Sequence, residues 1–440
     1  MSLTERVRIA SSGSPGIAVP AASQRAHELK TRVESILPAH EIVRMKAENP
    51  SRAENEVRAA CAQVFADDPW FIEGEDMRRN AADALIDVLF GLGPLEGMVA
   101  DESVTEIMVN GSRSLYVERD GVLELLPTPF AEDEEVRSVI DRIIGPLGRR
   151  IDEASPMVDA RLPEGHRVNA VIPPIALDGP MLTIRKFTQR VITLDEMSRS
   201  GSIDEGVRHV LVWSVRARKN IAVSGGTSSG KTTLLNALSC EIDSGERVLT
   251  IEDSAELRFL DHPHVIRLEA RPASIEGTGK VGIRDLVINA LRMRPDRIIV
   301  GEVRGGEALE MLTAMNTGHA GSLTTLHANS PADCVLRLTT MARYAADLPV
   351  DVIEAQIGTA FDMIVQTARS SDGRRFVSHI DEVEYDRGRN ACAVIPLYAR
   401  DDFEDRGTWA KAPSWLSFDA CRGWARPEEV ASWMQRTECC

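Results

Sequence analysis

Residues 225–233 read Gly225-Gly226-Thr227-Ser228-Ser229-Gly230-Lys231-Thr232-Thr233, the Gly-x-x-x-x-Gly-Lys-Thr pattern of a phosphate-binding loop. The pattern means something only in the right setting. A β-branched run, "NIAVSG", precedes it and an amphipathic one, "KTTLLNALSCEI", follows it, so the spacing predicts a strand, a tight loop and a helix. Glycines let the backbone curl until its N–H groups point at phosphate oxygens, and the helix N-terminus adds about half a positive charge there. In that geometry Lys231 reaches the β- and γ-phosphates of ATP and Thr232 ligates Mg²⁺.

Hydrolysis also needs acids. "RVLTIEDSAELRF" runs from a strand into Glu252, Asp253 and Glu256, and "DRIIVGEVRGGEA" runs from Ile298, Ile299 and Val300 into Glu302. Acids just past a strand end lie on the edge of a parallel sheet where ligands bind, and a carboxylate there can hold Mg²⁺ directly or through water. A third element, "NTGHAGSLTTLHANS", predicts a tight turn at Gly318 and Gly321 that feeds a strand. Its two histidines, His319 and His327, have no standard metal spacing. Taken alone they read as hydrogen-bonded structural residues, and Arg161, Arg167 and Arg185 read as surface charge.

These residues need a scaffold. "SSGSPGIAVPAAS" near the start predicts a disordered lead over 1–21. Apolar residues at three- and four-residue spacing predict a helical region over 22–97, ended by "GLGPL". The texture then changes. "VTEIMVNGSRSLYVERDGVLELL" carries Asn-Gly and Asp-Gly turns between apolar runs, a strong hairpin signal, and "EEVRSVIDRIIGPLGR" is an amphipathic helix closed by Gly-Pro. Residues 98–190 therefore read as a small α+β domain, and 191–204 as a polar linker. From 205 onward helices and strands alternate, which predicts an α/β domain with a mostly parallel sheet covered on both faces. A further hairpin is expected in "FVSHIDEVEYDRGRNACAVIPLYA". The tail to residue 440 carries Trp409, Trp415, Trp424 and Trp433, whose packing partners the pattern does not identify.

Composition narrows the function classes. The chain has 440 residues, 43% of them hydrophobic, and a net charge of −16. That acidic balance argues against a dedicated nucleic-acid binder, which needs basic surface. At "MSLTERVRIA" charges stand where a signal peptide would need an apolar run, so none is expected, and no run of about 18 apolar residues predicts a spanning helix. The seven scattered cysteines form no CxxC pair and read as reduced thiols of a cytoplasmic protein.

Taken together, "GGTSSGKTTLLNAL", "TIEDSAEL", "LRMRPDRIIVGEVRGGEA" and "MNTGHAGSLTTLHANS" resemble, in order and spacing, the four nucleotide motifs of the type II/type IV secretion ATPase superfamily. Upstream, "GLGPLEGMVADESVTEIMVNGSRSLYVERDGVLE", "RLPEGHRVNAVIPP" and "MLTIRKF" look closest to the branch that assembles tight-adherence (Flp-type) pili. The resemblance covers about residues 85–395. It implies a RecA-like motor domain at 205–440 with a C-terminal extension, preceded by a sensor-like N-terminal domain, and a homo-hexamer with nucleotide between the two domains. It implies that Glu252 polarises the attacking water and Glu302 sits at Mg²⁺ or its water shell. His319 and His327 would sense the γ-phosphate, and Arg161, Arg167 and Arg185 would approach the phosphates. A rigid, permanently charged guanidinium suits that last role. The implied protein is a cytoplasmic motor at the inner face of the inner membrane, coupled to membrane platform proteins, with no direct nucleic-acid contact expected. Two other readings stay open: a type IV secretion ATPase that moves protein or DNA, and an inactive nucleotide-binding scaffold. Extension and retraction of a pilus are not distinguished.

Overall fold

The computed structural model describes residues 7–9, 19–119, 122–187, 191–259, 262–271, 273, 278–417 and 423–437. It divides into two compact units, Met1–Thr188 and Gln189–Cys440. Most of the expected disordered lead, and the Asp-Gly turn at 120–121, lie outside the described residues.

The first unit contains a strand, β1 (Val7–Ile9), then four helices: α1 (Val19–Ile36), α2 (Ala39–Glu48), α3 (Pro50–Asp67) and α4 (Glu75–Phe90). Asn49 caps α3 by accepting from the Arg52 N–H, with Pro50 at the first helical position, the place where a missing N–H costs nothing. The helices close on Leu29, Val33, Val57, Cys61 and Leu85. After α5 (Glu96–Ala100) come β2 (Val104–Asn110), β3 (Ser114–Arg119), β4 (Val122–Leu126), α6 (Asp133–Ile144), β5 (Met157–Arg161), β6 (Arg167–Val171) and β7 (Met181–Arg185). The sheet order is β1-β4-β3-β2-β7-β6-β5. Alternating residues such as Ile107, Val109, Val117, Val168 and Ile184 meet Val136, Val139, Ile140 and Ile143 of α6, the one-sided burial that antiparallel sheets permit.

The second unit opens with α7 (Leu194–Arg199) and α8 (Glu205–Arg216). This corrects the expected linker at 191–204. Thr193 and Glu196 form a capping box, which satisfies two backbone donors reciprocally. Leu194, Met197 and Ile203 then pack into the main core, so the stretch is an integral part of this unit.

There follow β8 (Ile221–Gly225), α9 (Lys231–Ser239), β9 (Val248–Glu252), β10 (Val265–Glu269), α10 (Ile283–Ala290), β11 (Arg297–Val300), α11 (Glu307–Asn316), β12 (Leu323–His327), α12 (Pro331–Ala345) and α13 (Val350–Ala360). The chain ends with β13 (Met363–Arg369), β14 (Arg375–Asp386), β15 (Ala391–Ala399), β16 (Thr408–Trp409) and α14 (Pro427–Thr437). The sheet order is β10-β9-β11-β12-β8-β13-β14-β15-β16, parallel from β10 to β13 and antiparallel beyond. One face is covered by α7, α8, α9 and the tail, the other by α10 to α13. β8, the strand before the phosphate loop, is buried along its whole length. β12 separates it from β11, so the strand that delivers Glu302 is not its direct neighbour. This is the expected α/β, RecA-like fold. The hairpin foreseen near residue 385 is β14–β15.

The tail tryptophans acquire a location. Trp433 on α14 packs edge-on against Trp409 at 4.9 Å and Trp213 of α8 at 6.1 Å between ring centroids. Its indole N–H donates to the Gly206 carbonyl at 3.1 Å. Trp433 is 3% exposed, so the tail completes the core. The Trp433→Ala variant is expected to lose about 3–5 kcal/mol of stability in chemical denaturation; a loss below about 1 kcal/mol would show that the tail is not part of the folded core.

Candidate functional site

The site lies at the carboxyl edge of the parallel strands. Three backbone residues in the left-handed or otherwise positive-φ region shape the loop: Gly225 at +153°, Ser228 at +56° and Gly230 at +98°. Gly225 has no alternative. A Cβ there would lie 2.5 Å from the Thr367 carbonyl oxygen and 2.6 Å from Ser229 Oγ. Gly226, Thr227 and Ser228 are exposed at the crest, whereas Ser229 is buried. Gly230 is the N-cap of α9, which puts Lys231, Thr232 and Thr233 in its first turn. Thr232 and Thr233 are half-buried.

Lys231 is 7% exposed and its ammonium is held by the loop itself. Nζ donates to the carbonyls of Gly225 at 3.2 Å and Gly226 at 2.8 Å. It also lies 3.3 Å from His327 Nδ1. Burial lowers the Lys231 pKa, and Glu302 opposes that shift only in part. His327 stands in register with Gly225 on the neighbouring strand. Burial and then Lys231 hold its pKa below the ordinary value, so the ring is neutral near pH 7. A neutral ring facing an ammonium at Nδ1 carries its proton on Nε2.

That Nε2 faces Glu302 Oε1 at 3.2 Å. The alignment falls short of a hydrogen bond, and the buried Oε1 keeps an unsatisfied lone pair. Glu302 Oε2 accepts from Arg304 Nη2 at 2.7 Å. Burial works to raise the Glu302 carboxyl, but Arg304, His327 and Lys231 outweigh it, and the group is held below its usual range. Arg304 also approaches Asp253 at 3.7 Å.

Glu252, the last residue of β9, is placed differently. It is 3% exposed. Its Oε1 accepts from the backbone N–H groups of Glu256 at 2.8 Å and Leu257 at 2.9 Å, while Oε2 is buried with no hydrogen-bond partner. Desolvation dominates and pushes its pKa up to about 7. Gly301 makes room for it, since a Cβ there would lie 2.8 Å from Glu252 Cγ. Glu256 acts here through its backbone.

The geometry therefore gathers Gly225–Thr233, Glu252, Glu302 and His327. It does not gather His319. The N–H groups of Gly321 and Ser322 are fixed by Asn220 Oδ1 at 2.8 and 2.9 Å, and Asn220 directly precedes β8, so this turn is at the amino edge of the sheet. β12, about 13 Å long over its four strand steps, runs from this turn to His327 at the other edge. His319 Nδ1 instead meets the Ala314 carbonyl at 3.0 Å, a structural contact that corrects its expected place at the phosphates.

Arg161, Arg167 and Arg185 belong to the first unit. The sheet register sets Arg161 opposite Arg167, and Arg167 opposite Arg185. Directly opposed residues share a face some 5 Å apart, so the three form one row, which continues through Glu106 opposite Arg185 to Glu118. Sequence reading missed Arg304, Thr367 and Arg375. Arg304 had a usable signal, two residues past Glu302. The other two had none.

Residues 89–394 match the type II/IV secretion system protein family. The chain belongs to that family. It is 37% identical over 290 residues to the conjugal transfer protein TrbB of Rhizobium radiobacter, covering 64% of this chain and 85% of that one. It is 32% identical over 331 residues to the type IV secretion system protein VirB11 of Brucella suis, covering 68% and 90%. Among solved structures, the Brucella suis VirB11 ATPase in complex with sulphate matches at 30% identity and a TM-score of 0.36, covering 69% of this chain and 96% of that one.

The raised Glu252 pKa has a consequence for stability. The unfolded carboxyl loses its proton near 4.5 and the folded one near 7, so between those values the folded state binds more protons and loses stability as pH rises. The Glu252→Gln variant carries no such charge. Thermal melts of both proteins from pH 5 to pH 8 should show the variant gaining on the wild type across that window; parallel curves would mean that Glu252 is not desolvated.

Proposed function

We propose that the chain is a motor ATPase of a type II/IV secretion or pilus machine, hydrolysing ATP with Mg²⁺. The observation that carries this reading is the convergence of Lys231, His327 and Glu302 at the mouth of a loop whose shape depends on Gly225 and Gly230. Lys231 would exchange the carbonyls of Gly225 and Gly226 for β/γ-phosphate oxygens.

The residues suit Mg²⁺. Among the described residues no three His, Cys, Asp or Glu side chains form a metal cluster, but Mg²⁺ beside a nucleotide needs only one or two protein ligands, with waters and phosphates supplying the rest. Thr232 and the ionised Glu302, with its unsatisfied Oε1, would be those ligands. The ion would neutralise charge on the phosphates. Glu252 is then the water-orienting base. A base works best with a pKa near the operating pH, whereas a metal ligand must stay ionised, and the two carboxyls divide along those lines. Arg161, Arg167 and Arg185 are assigned to stabilising phosphoryl charge, and Thr227, Ser228, Ser229 and Thr233 to cradling the phosphates.

The assembly we infer is a hexamer at the cytoplasmic face of the inner membrane, working on platform proteins. Among the described residues no helix is long and apolar enough to cross a membrane. Similarity to TrbB and VirB11 favours a type IV secretion role; the upstream motifs favour assembly of a tight-adherence pilus. Cross-linking in membranes, followed by identification of the partner as a conjugation-channel or a pilus-platform component, separates the two.

Lys231→Ala is expected to abolish Mg²⁺-dependent ATP hydrolysis; turnover at the wild-type rate would sink the nucleotide reading. Glu252→Gln should bind ATP as wild type does and lose turnover by at least about 10²-fold, while Glu302→Gln should lose turnover with a shifted Mg²⁺ dependence. Normal turnover in Glu252→Gln would reverse the two roles. Light scattering with a non-hydrolysable ATP analogue should give a mass near six protomers, and a strict monomer at tens of micromolar would exclude the ring.

A further inference from the structure

The phosphate loop is gripped from outside by the hairpin β13–β14, at two points far downstream in sequence. The first is where the loop leaves β8. Thr367 is the register partner of Gly225 and is 3% exposed. Its Oγ1 donates to the Ser224 carbonyl at 3.1 Å and stands 2.7 Å from Ser229 Oγ. Either hydroxyl can donate across that contact, and Ser229 Oγ also donates to the Gly226 carbonyl at 2.9 Å. Both ends of the loop are thus tied to one hydroxyl. Gln366, next in the chain, grips the other face: its amide takes the Ser224 hydroxyl and donates to the Ala328 carbonyl at 3.1 Å. The β13–β14 register shifts between Gln366 and Thr367, the kind of irregularity that re-aims side chains.

The second point is the crest. Arg375, the first residue of β14, donates from Nε to the Ser228 carbonyl at 3.0 Å. Its Cδ lies 3.5 Å from where a Cβ on Gly230 would stand. Ser228 adopts a positive φ, which a serine seldom does without support. In a trans peptide the carbonyl and the following N–H point opposite ways. With the Ser228 carbonyl turned out to Arg375, the Ser229 N–H is turned inward, the direction a phosphate needs.

We propose that Thr367 and Arg375 are positioning residues for the nucleotide: through them the β13–β14 hairpin holds the phosphate loop in its binding shape. The proposal rests on the ATPase reading above. Neither side chain needs to touch the nucleotide. Thr367 holds the ends of the loop and Arg375 holds its crest.

The test is titration of the full-length protein with a fluorescent ADP analogue, together with thermal melts with and without ADP. Thr367→Val, nearly isosteric, should weaken binding roughly three- to tenfold, as expected for a lost hydrogen bond. Thr367→Ser, which keeps the hydroxyl, should stay within about twofold of wild type. Arg375 is exposed, so Arg375→Ala should leave the melting point without nucleotide unchanged while weakening ADP binding and shrinking the ADP-induced shift. A purely structural role would lower the melting point of Thr367→Val without nucleotide and leave ADP affinity at the wild-type value. Wild-type affinity in both Thr367→Val and Arg375→Ala, or equal loss in Thr367→Ser, overturns the clamp. Lys231→Ala is the control: if it also binds and hydrolyses like wild type, the nucleotide reading has failed and the clamp with it. If it alone is impaired, only the clamp has failed.

Discussion

The rest of the site depends on one row of the parallel sheet. β8 is paired so that Gly225 stands between His327 of β12 and Thr367 of β13. A slip of one residue would turn each of these side chains to the opposite face. Lys231 would lose its imidazole neighbour, and the loop would lose the hydroxyl that ties its ends. The absence of a Cβ at Gly225 lets the row close up, because the Thr367 backbone occupies the space a side chain would need. The same packing explains why β8 is buried throughout, with covered faces and a strand on either side.

Around that row two carboxylates of the same chemical type acquire different characters. Glu302 sits beside His327 and between two permanent cations, Arg304 and Lys231, whose charge keeps it ionised against the cost of burial. Glu252 has only two backbone N–H groups on one oxygen and nothing on the other, so desolvation governs it. At Glu302 the neighbouring charges outweigh burial, whereas at Glu252 burial outweighs the two N–H donors and Arg267. The separation arises from strand order: β11 lies between β9 and β12, which carries Glu302 toward His327 and leaves Glu252 a strand further from the lysine.

Charge is organised differently in the first unit. Three arginines stand in one row across β5, β6 and β7, an arrangement that costs mutual repulsion and suits an anion. The tail of the second unit serves stability. Its tryptophans close the core over α8, with one indole N–H satisfied by the Gly206 carbonyl.

Much of this was legible in the linear chain because it is local. A Gly-x-x-x-x-Gly-Lys-Thr loop between a β-branched run and an amphipathic run specifies strand, turn and helix within about twenty residues, and acids at strand ends announce a sheet edge. The Thr193–Glu196 capping box was equally local, and reading 191–204 as polar linker overlooked it. The two histidines were not separable by pattern. One precedes β12 and the other ends it, and only the direction of β12 in the sheet puts His327 at the carboxyl edge and His319 at the other. Thr367 and Arg375 carried no signal, since their importance comes from pairing β13 with β8 across more than a hundred residues of chain. Local sequence determined which elements form and which chemistry they carry. Strand order and register, set by burying two hydrophobic faces at once, decided which of those groups meet, because in a parallel sheet neighbours in space are remote in sequence.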